Sequence, residues 1–349
     1  MIGRLAGPKM EDYGGGRLKF LGILLVVLLL VAGFAFWMVH TPFGPQTETF
    51  VDIAPHTSSG AIGGMLEQKG VIRSRYGFEL LRAWAAVRGG KSLKAGEYRF
   101  DHPVAMTEVY DKIARGDVYT VSLTIPEGYN IFDIAQAVES AGLGKRDEFL
   151  AAERKHTELI AEWTAMGAGA APESLEGYLF PDTYHFAHHL TPEQMLGAMV
   201  RRFRQVMLQM GVPRDVPQIV TMASLVEKEV SQDSERPLVA GVFVNRLAKK
   251  IPLATDPTVI YAALLENRWK GTIYASDLKS ESPYNTYVHA GLPPGPICNP
   301  GVAALKAAIS PAKTEYLYFV SDAAGHSRFA ATLKEHNSNV TAYRKAQGR

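Results

Sequence analysis

The chain has 349 residues, a length that suits two or three domains, and 47% of them are hydrophobic, which is ample for a core. Its 37 basic and 35 acidic side chains give a formal net charge of +2, so charge alone implies neither a nucleic acid nor an acidic polymer as partner. With a single cysteine, Cys298, a disulfide scaffold within the chain is excluded.

The first predicted element is a membrane-spanning helix over residues 20–39, a run without any charged side chain. At ~1.5 Å per residue such a helix is ~30 Å long, the thickness of a bilayer core. Four basic residues and two acidic ones precede it, so the positive-inside rule predicts a cytoplasmic tail over residues 1–19 and an extracytoplasmic location for everything after His40. A cleaved signal peptide is the alternative, but the apolar run is long for one and lacks a good cleavage site.

Residues 40–120 are predicted to form a small α/β subdomain close to the membrane, after a linker that contains proline and glycine. An alternating strand at 50–53 leads into a helix that ends near Gly70. The same order recurs at 121–125, with a helix that ends near Gly142, so one strand–helix design occurs twice. Because neither segment carries a cluster of catalytic side-chain types, a binding or spacing role is expected.

Residues 121–349 are predicted to be mainly helical with a small sheet, which gives an α+β fold class overall. A strand near 316–320 is expected to pair with the segment that starts at His326. Two stretches have no clear period, namely the aromatic and polar segment 175–184 and the proline- and glycine-rich loop 282–301. Helices are predicted over residues 191–211, 236–250, 259–265, 301–310 and 332–344.

The central element is a predicted helix over residues 215–230 that carries two glutamates, Glu227 and Glu229. Asp215 is expected to cap this helix, and an apolar line along one face is expected to be buried. The expected polar side consists of Thr221, Ser224 and Lys228. Each glutamate flanks the apolar line, where loss of solvation raises the pKa of a carboxyl toward the range that a general acid needs. A structural ion pair at the edge of a core helix is the alternative, and periodicity does not distinguish the two glutamates.

Other catalytic chemistries lack their motifs, and neither a cofactor nor a metal is predicted. There is no glycine-rich phosphate loop, no Gly-x-Ser-x-Gly elbow and no histidine spacing typical of a zinc site. Cys298 is near His289 in sequence, but its proline-rich flank offers no helix N-terminus that would activate a thiol. Acid–base chemistry by carboxylates remains, and ordinary glycosidases use two of them. Asp182, Asp256 and Glu176 are candidate partners, each in a turn where acidic residues are common anyway, so the sequence alone does not establish a dyad.

Eight short motifs follow one another in the second half of the chain. They are EGYLFPDTY (176–184), ASLVEKE (223–229), NRL (245–247), TDPTVIY (255–261), SPYNTY (282–287), GLPPGPI (291–297), NPG (299–301) and EHN (335–337). Together with the anchor they resemble the MltG/YceG-like endolytic murein transglycosylases. One departure is Ala254, where the family usually has glutamine, and this bears on a substrate contact rather than on the glutamate helix.

The resemblance implies a single-pass enzyme of the plasma (inner) membrane, with a LysM-like subdomain at 40–120 and an extracytoplasmic or periplasmic catalytic domain at 121–349. The implied activity is that of a lyase that cleaves the MurNAc–GlcNAc bond within nascent peptidoglycan strands and leaves 1,6-anhydromuramic ends. The family's catalytic glutamate corresponds to Glu227, which leaves Glu229 as a structural carboxylate. Peptidoglycan strands are the implied partner, with peptidoglycan synthases beside them, and no cofactor or nucleic acid is implied.

In such a reaction one glutamate serves twice. Protonated, it donates to the glycosidic oxygen; ionised, it takes the proton of the sugar's own 6-hydroxyl, which attacks C1. Glycan binding and cation stabilisation are then expected from six polar residues, each of which could instead stabilise its own loop: Tyr178, Thr183, Tyr184, Asn285, Thr286 and Asn299. Two alternatives remain, a muramidase-type hydrolase with Asp182 or Asp256 as second carboxylate, and a non-enzymatic cell-wall scaffold.

Overall fold

The computed structural model describes residues 14–164, 172–211, 215–322 and 326–346. The chain divides into two compact units, Met1–Thr120 and Val121–Arg349. Each unit buries a separate hydrophobic core. The fold is mixed α+β and mainly helical, as predicted, with short strands paired in antiparallel ribbons.

The first unit is built on one two-stranded ribbon, in which Thr49 lies opposite Phe100. Its strands are β1 (Thr49–Ile53) and β2 (Gly96–Phe100), and its helices are α1 (Gly14–His40), α2 (Ser59–Gln68), α3 (Arg75–Val87) and α4 (Met106–Arg115). Ser58 and Ser74 cap α2 and α3 by accepting backbone N–H groups, as serine does at helix starts. Within α1, the segment Lys19–His40 is long and apolar enough to cross a membrane, which agrees with the predicted anchor. The direction in which this helix crosses the membrane, with its N-terminal end in the cytoplasm, stays a prediction.

The second unit contains two ribbons, with Val121 opposite Phe186 in one and Tyr318 opposite Ala330 in the other. Its strands are β3 (Val121–Thr124), β4 (Thr183–Phe186), β5 (Tyr318–Ser321) and β6 (Ser327–Ala330). Its α-helices are α5 (Ile131–Ser140), α6 (Arg146–Lys155), α7 (Ala161–Thr164), α8 (Pro192–Gln209), α9 (Val216–Glu229), α10 (Arg236–Ala248), α11 (Asp256–Leu265), α12 (Val302–Ile309) and α13 (Leu333–Ala346). Short 3-10 helices occupy Thr157–Ile160 and Asp277–Lys279.

The repeated strand–helix design does not form one module. β1 pairs with β2 inside the first unit, whereas β3 pairs with β4, which lies some 60 residues further along the chain in the second unit. β1 packs on the core of the first unit and β3 on the core of the second. The sequence similarity between the two segments therefore reflects a common local pattern and not membership of one sheet or one domain.

α9 is the central helix of the second unit, and it packs against α10, α11 and α12. Two expectations about it are wrong. Asp215 has a left-handed backbone with φ of 57° and its side chain makes no capping hydrogen bond. Thr221 and Ser224, expected on an exposed polar side, are buried. Burial is tolerated because the hydroxyl of Thr221 donates to the Pro217 carbonyl and that of Ser224 to the Thr221 carbonyl.

The core of the second unit gives a direct stability prediction on α8. Phe203 is fully buried and its ring lies 5.1 Å from the rings of both Trp163 and Tyr178, whereas Leu208 on the same helix is 72% exposed. We expect Phe203→Ala to lower the free energy of unfolding by ~3–5 kcal/mol, because it leaves a cavity. Leu208→Ala, the matched control, should change it by less than ~0.5 kcal/mol. Urea denaturation measures both, and equal effects would contradict the packing described here.

Candidate active site

The last turn of α9 borders a polar cavity of about 450 Å³. Both glutamates of this turn, Glu227 and Glu229, line the cavity. The other lining residues come from the turn after β3, from the end of α9 and from the start of α10: Glu127, Gly128, Lys228, Val230, Ser231 and Arg236. The cavity therefore collects three acidic and two basic side chains from parts of the chain that are remote in sequence.

Glu227 is held by partners on both carboxylate oxygens. Arg236 Nη2 lies 2.9 Å from Oε1, and the backbone N–H of Gly301 donates to Oε2 over 3.0 Å. Only 6% of the Glu227 side chain and 5% of the Arg236 side chain are exposed. Since Arg236 begins α10 and Gly301 immediately precedes α12, the carboxylate is fixed by three helices.

Arg236 has one donor to spare. Its Nε donates to Asp233 over 3.0 Å and its Nη2 contacts Glu227. Its buried Nη1 has no hydrogen-bond partner among the residues that the structure describes. The Arg236 side chain borders the cavity, but Nη1 itself is inaccessible to solvent, so it would reach a group in the cavity only after a local rearrangement.

Glu127, which the sequence did not single out, lies beside Glu227. The carboxylate of Glu127 lies against Gly301, and the backbone N–H of Val302 favours its charged form, so the segment at the start of α12 is close to both glutamates. A Cβ at Gly301 would overlap the Glu127 carboxylate, so a side chain at this position would displace that group. Burial and then the charge of Glu227 raise the pKa of Glu127, against the opposing effect of Arg236. The sequence gives little sign that Glu127 belongs to a site, because an acidic residue in a Pro-Glu-Gly turn is ordinary turn composition.

The turn that carries Glu127 is fastened to the loop before α12. Gly128 N–H donates to the Asn299 carbonyl over 3.0 Å, and Asn299 N–H donates to the Tyr129 carbonyl over 2.8 Å. Lys228 Nζ also donates to the Gly128 carbonyl, over 3.3 Å. These bonds fix the distance between the turn and α9, and thereby the position of one glutamate relative to the other.

Asn299 and Glu176 form a buried polar bridge between the two loops that had no clear period. The Asn299 amide accepts from Leu179 N–H over 2.8 Å and donates to Glu176 Oε1 over 2.8 Å. Burial raises the pKa of Glu176 to about 8, although the N–H of Ile131 donates to it. Glu176 is enclosed in protein, so as a second catalytic carboxylate it would need the loop to open. Gly177, with φ of 88°, allows this loop to touch Pro296.

Asn285 and Thr286 are also buried, with 0% and 1% exposure, and their polar groups serve the fold. Thr286 Oγ1 accepts the N–H of Thr255 over 3.1 Å and thereby ties the loop to the start of α11. The Asn285 amide donates to the carbonyls of Asp277, Leu278 and Ser280. Neither side chain lines the cavity at Glu227.

The three remaining predicted binding residues lie elsewhere in the second unit. Tyr178 is a core residue, stacked on Trp163. Tyr184 is buried and its hydroxyl donates to the Phe180 carbonyl. Thr183 is exposed, and its hydroxyl lies 2.9 Å from that of Thr124 across the ribbon. None of the three lines the cavity, and a glycan contact by any of the six stays a prediction.

The other candidate groups have partners of their own. Asp182 accepts from Arg202 Nε over 2.6 Å, and Asp256 accepts from the Tyr287 hydroxyl over 2.7 Å. Cys298 is fully buried, and burial raises the pKa of its thiol well above the ordinary value, which argues against a nucleophilic cysteine.

Glu229 has a different environment from Glu227, although only one residue separates them. Burial, and then the charge of Asp256, raise its pKa to about 7, while Arg246 opposes the shift. At about 100° per residue, two positions along a helix turn the side chain to nearly the opposite side, so the two glutamates face different partners.

Comparisons with known proteins agree with one another. The sequence profile of the YceG-like family matches residues 51–342. The chain is 33% identical to an endolytic murein transglycosylase of Bacillus subtilis over 315 residues, 85% of each protein. It is 30% identical to an endolytic murein transglycosylase of Streptococcus pneumoniae over 92% of this chain, and the match spans 64% of that relative, just under two thirds of its length. A crystal structure of a YceG-like protein from Listeria monocytogenes aligns with a TM-score of 0.54 at 31% identity, covering 84% of this chain and 99% of that one.

The raised pKa of Glu229 predicts how stability depends on pH. Its carboxyl binds a proton more tightly in the folded state, with a pKa of about 7 against an ordinary value of 4.5. The stabilisation of the folded state by this tighter proton binding is therefore complete below pH ~4.5 and is lost as the pH rises through ~7. We expect the wild type to lose on the order of 3 kcal/mol of unfolding free energy across this range relative to Glu229→Gln.

Urea denaturation of the two proteins at a series of pH values measures this difference. Glu281→Gln, at an exposed position, is the control for the loss of one negative charge. A difference between wild type and Glu229→Gln that does not vary with pH would contradict the environment described for Glu229.

Proposed function

The chain belongs to the YceG-like family, which confirms the resemblance seen in its motifs, and we propose that it cleaves nascent peptidoglycan strands at the MurNAc–GlcNAc bond with Glu227 as acid and then base. The names of its curated relatives support a lytic transglycosylase, a lyase that acts on peptidoglycan. The single observation that carries the choice of residue is the fixed carboxylate of Glu227, bound on both oxygens at the edge of a polar cavity.

The proposed reaction needs one proton donor and no water. Glu227 in its acid form gives its proton to the glycosidic oxygen while the C1–O bond breaks and positive charge develops at C1. The carboxylate so formed takes the proton of the 6-hydroxyl, whose oxygen bonds to C1 and closes the 1,6-anhydro ring. The proton returns to Glu227, so the enzyme is regenerated. Assistance of this kind is typically worth ~10²–10⁴-fold in rate.

Arg236 and the Gly301 N–H are proposed to position this carboxylate. Their two bonds fix its orientation, and a fixed catalytic group avoids reorganisation during the reaction. A small movement of the Arg236 side chain would let its spare Nη1 donor bind an acetamido or hydroxyl oxygen of a sugar in the cavity.

Glu127 is proposed to stabilise the positive charge that develops at C1. Its carboxylate borders the same cavity and lies against the same backbone segment as that of Glu227. Two carboxylates at one cavity also favour a second candidate function, a two-carboxylate muramidase-type hydrolase. In that reaction Glu127 would be the second catalytic carboxylate, the role for which the sequence had suggested Asp182 or Asp256. The two functions differ in product, because a hydrolase leaves reducing ends and a lytic transglycosylase leaves anhydro ends.

The six polar residues predicted to bind glycan are proposed to act mainly as the framework of the site. Asn299 is the strongest case, because its amide joins the 175–184 loop to the segment that leads into α12 and its backbone fastens the Glu127 turn. A buried amide with all these partners is costly to disturb.

The remaining proposals concern the whole chain. Residues 1–19 are proposed to be cytoplasmic and 20–39 to anchor the protein in the plasma (inner) membrane. The unit formed by residues 40–120, with its strand–helix–helix–strand order, is proposed to be a LysM-like binding subdomain, and residues 121–349 the catalytic domain. Peptidoglycan synthases are proposed as neighbours, since they would supply nascent strands.

Two substitutions separate the glutamates of α9. Glu227→Gln should lower the rate of glycan cleavage by at least ~10²–10⁴-fold in a protein that still folds, because the amide cannot exchange the proton, and it should also lower the melting temperature, because Arg236 loses its buried charge partner. Glu229→Gln should retain most of the rate and alter mainly stability. Mass spectrometry of digested peptidoglycan measures the anhydro ends. Unchanged cleavage by Glu227→Gln would refute the assignment, and equal loss in both variants without unfolding would show that their roles are misassigned.

A third substitution tests Glu127. If its carboxylate stabilises the cation, Glu127→Gln should lower the turnover number by roughly 10²-fold and leave anhydro ends as the product. Glu139→Gln on α5, an exposed carboxylate, should have the wild-type rate. Reducing ends among the wild-type products would favour the hydrolase, and a wild-type rate for Glu127→Gln would exclude a catalytic role for this residue.

A further inference from the structure

The outer face of α3 in the first unit is apolar, although nothing in the described part of the chain covers it. At about 100° per residue its large side chains fall within an arc of ~80° along the helix. They are Tyr76, Leu80, Trp84 and Val87, which are 63%, 69%, 56% and 89% exposed. The side of α3 that carries Phe78 and Leu81 packs into the core, so the exposed stripe is not needed for folding.

This stripe begins next to the end of the proposed anchor. α3 packs against α1, and Met38 near the end of α1 contacts Gly77, where a Cβ would lie 2.6 Å from its Cε. The guanidinium of Arg73 lies 4.8 Å from the ring centre of Trp37 and donates to the carbonyl of Thr41 over 2.9 Å. If Lys19–His40 crosses the membrane, the start of α3 therefore lies at the membrane surface.

The charges around α3 suit an anionic lipid surface. Between residues 71 and 94 there are six basic side chains and a single acidic one. Two of the basic side chains lie over the aromatic rings of the stripe, with Arg75 4.7 Å from the ring centre of Tyr76 and Arg88 4.0 Å from that of Trp84. Tyrosine and tryptophan favour the interface of a bilayer, and basic side chains are attracted to anionic headgroups.

We propose that the Tyr76–Val87 face of α3 lies in the headgroup region of the membrane, with anionic phospholipid as its partner. α3 has 13 residues and is therefore ~20 Å long. The first unit then touches the bilayer along this helix as well as through its anchor. A second copy of the chain is a poorer partner, because it would bring two sets of basic side chains together. The proposal depends on the anchor and not on the catalytic residues.

Site-specific fluorescent labels on the full-length protein test this proposal. The labelled variants are Leu80→Cys and Val87→Cys in the stripe, Gln68→Cys at an exposed position of α2, and Leu28→Cys in the anchor. Cys298 is fully buried, so the unsubstituted protein measures background labelling. The protein is reconstituted into vesicles of phosphatidylcholine and phosphatidylglycerol, and quenching by headgroup-level nitroxide lipids is compared with quenching by aqueous iodide.

We expect the labels at positions 80 and 87 to be quenched several-fold more by nitroxide lipid than the label at position 68, and to be shielded from iodide. Iodide quenching at 80 and 87 equal to that at 68 would overturn the proposal. Shielding from iodide without nitroxide quenching would overturn it in favour of a protein partner. In either case the label at position 28 shows whether the anchor has inserted into the bilayer. Loss of the proposed contact at α3 would leave the result of the cleavage assay unchanged, so the two proposals fail separately.

Discussion

The second unit depends on the buried ion pair between Glu227 and Arg236. Moving a carboxylate or a guanidinium out of water costs several kcal/mol, and the cost is offset only when each group keeps its charge partner and its hydrogen bonds. Arg236 lies at the start of α10, and the Gly301 N–H that completes the carboxylate's shell immediately precedes α12. The pair is therefore stable only when α9, α10 and α12 meet in one arrangement, and removing either partner would leave an uncompensated buried charge, at a cost of ~3–5 kcal/mol.

Sequence patterns predicted the parts of the fold that depend on local periodicity. α8 begins after Thr191, which caps it together with Gln194, and α10 and α12 lie within one or two residues of their predicted bounds. The errors occur where a residue type is compatible with two different local structures. Asp215 is a good capping residue by type, but its left-handed backbone removes the geometry that a cap requires, and hydroxyls such as that of Ser224 can be buried by bonding to their own helix.

The candidate site was predictable only in part, for a physical reason. A carboxylate on the border of an apolar helix face has a local signature, so Glu227 was found together with Glu229. Glu127 has none, because its place beside Glu227 depends on bonds between Gly128 and Asn299, which are 171 residues apart. The amides of Asn285 and Asn299 show the reverse case: polar loop residues look like ligands in a sequence, yet their donors and acceptors are used by the protein's own backbone.

The charges around the cavity also bear on the reaction proposed for this site. Glu127, Glu227 and the largely exposed Asp233 lie near the guanidinium of Arg236, and Lys228 also lines the cavity. Burial, and then the negative charge of Glu227, raise the pKa of Glu127. The carboxyl of Glu127 therefore holds a proton more readily than an ordinary glutamate does. In the proposed reaction, the positive charge that develops at C1 would favour an ionised Glu127. In this proposal Glu227 supplies the acid at the start of the reaction, and an ionised Glu127 supplies the negative charge that the transition state requires.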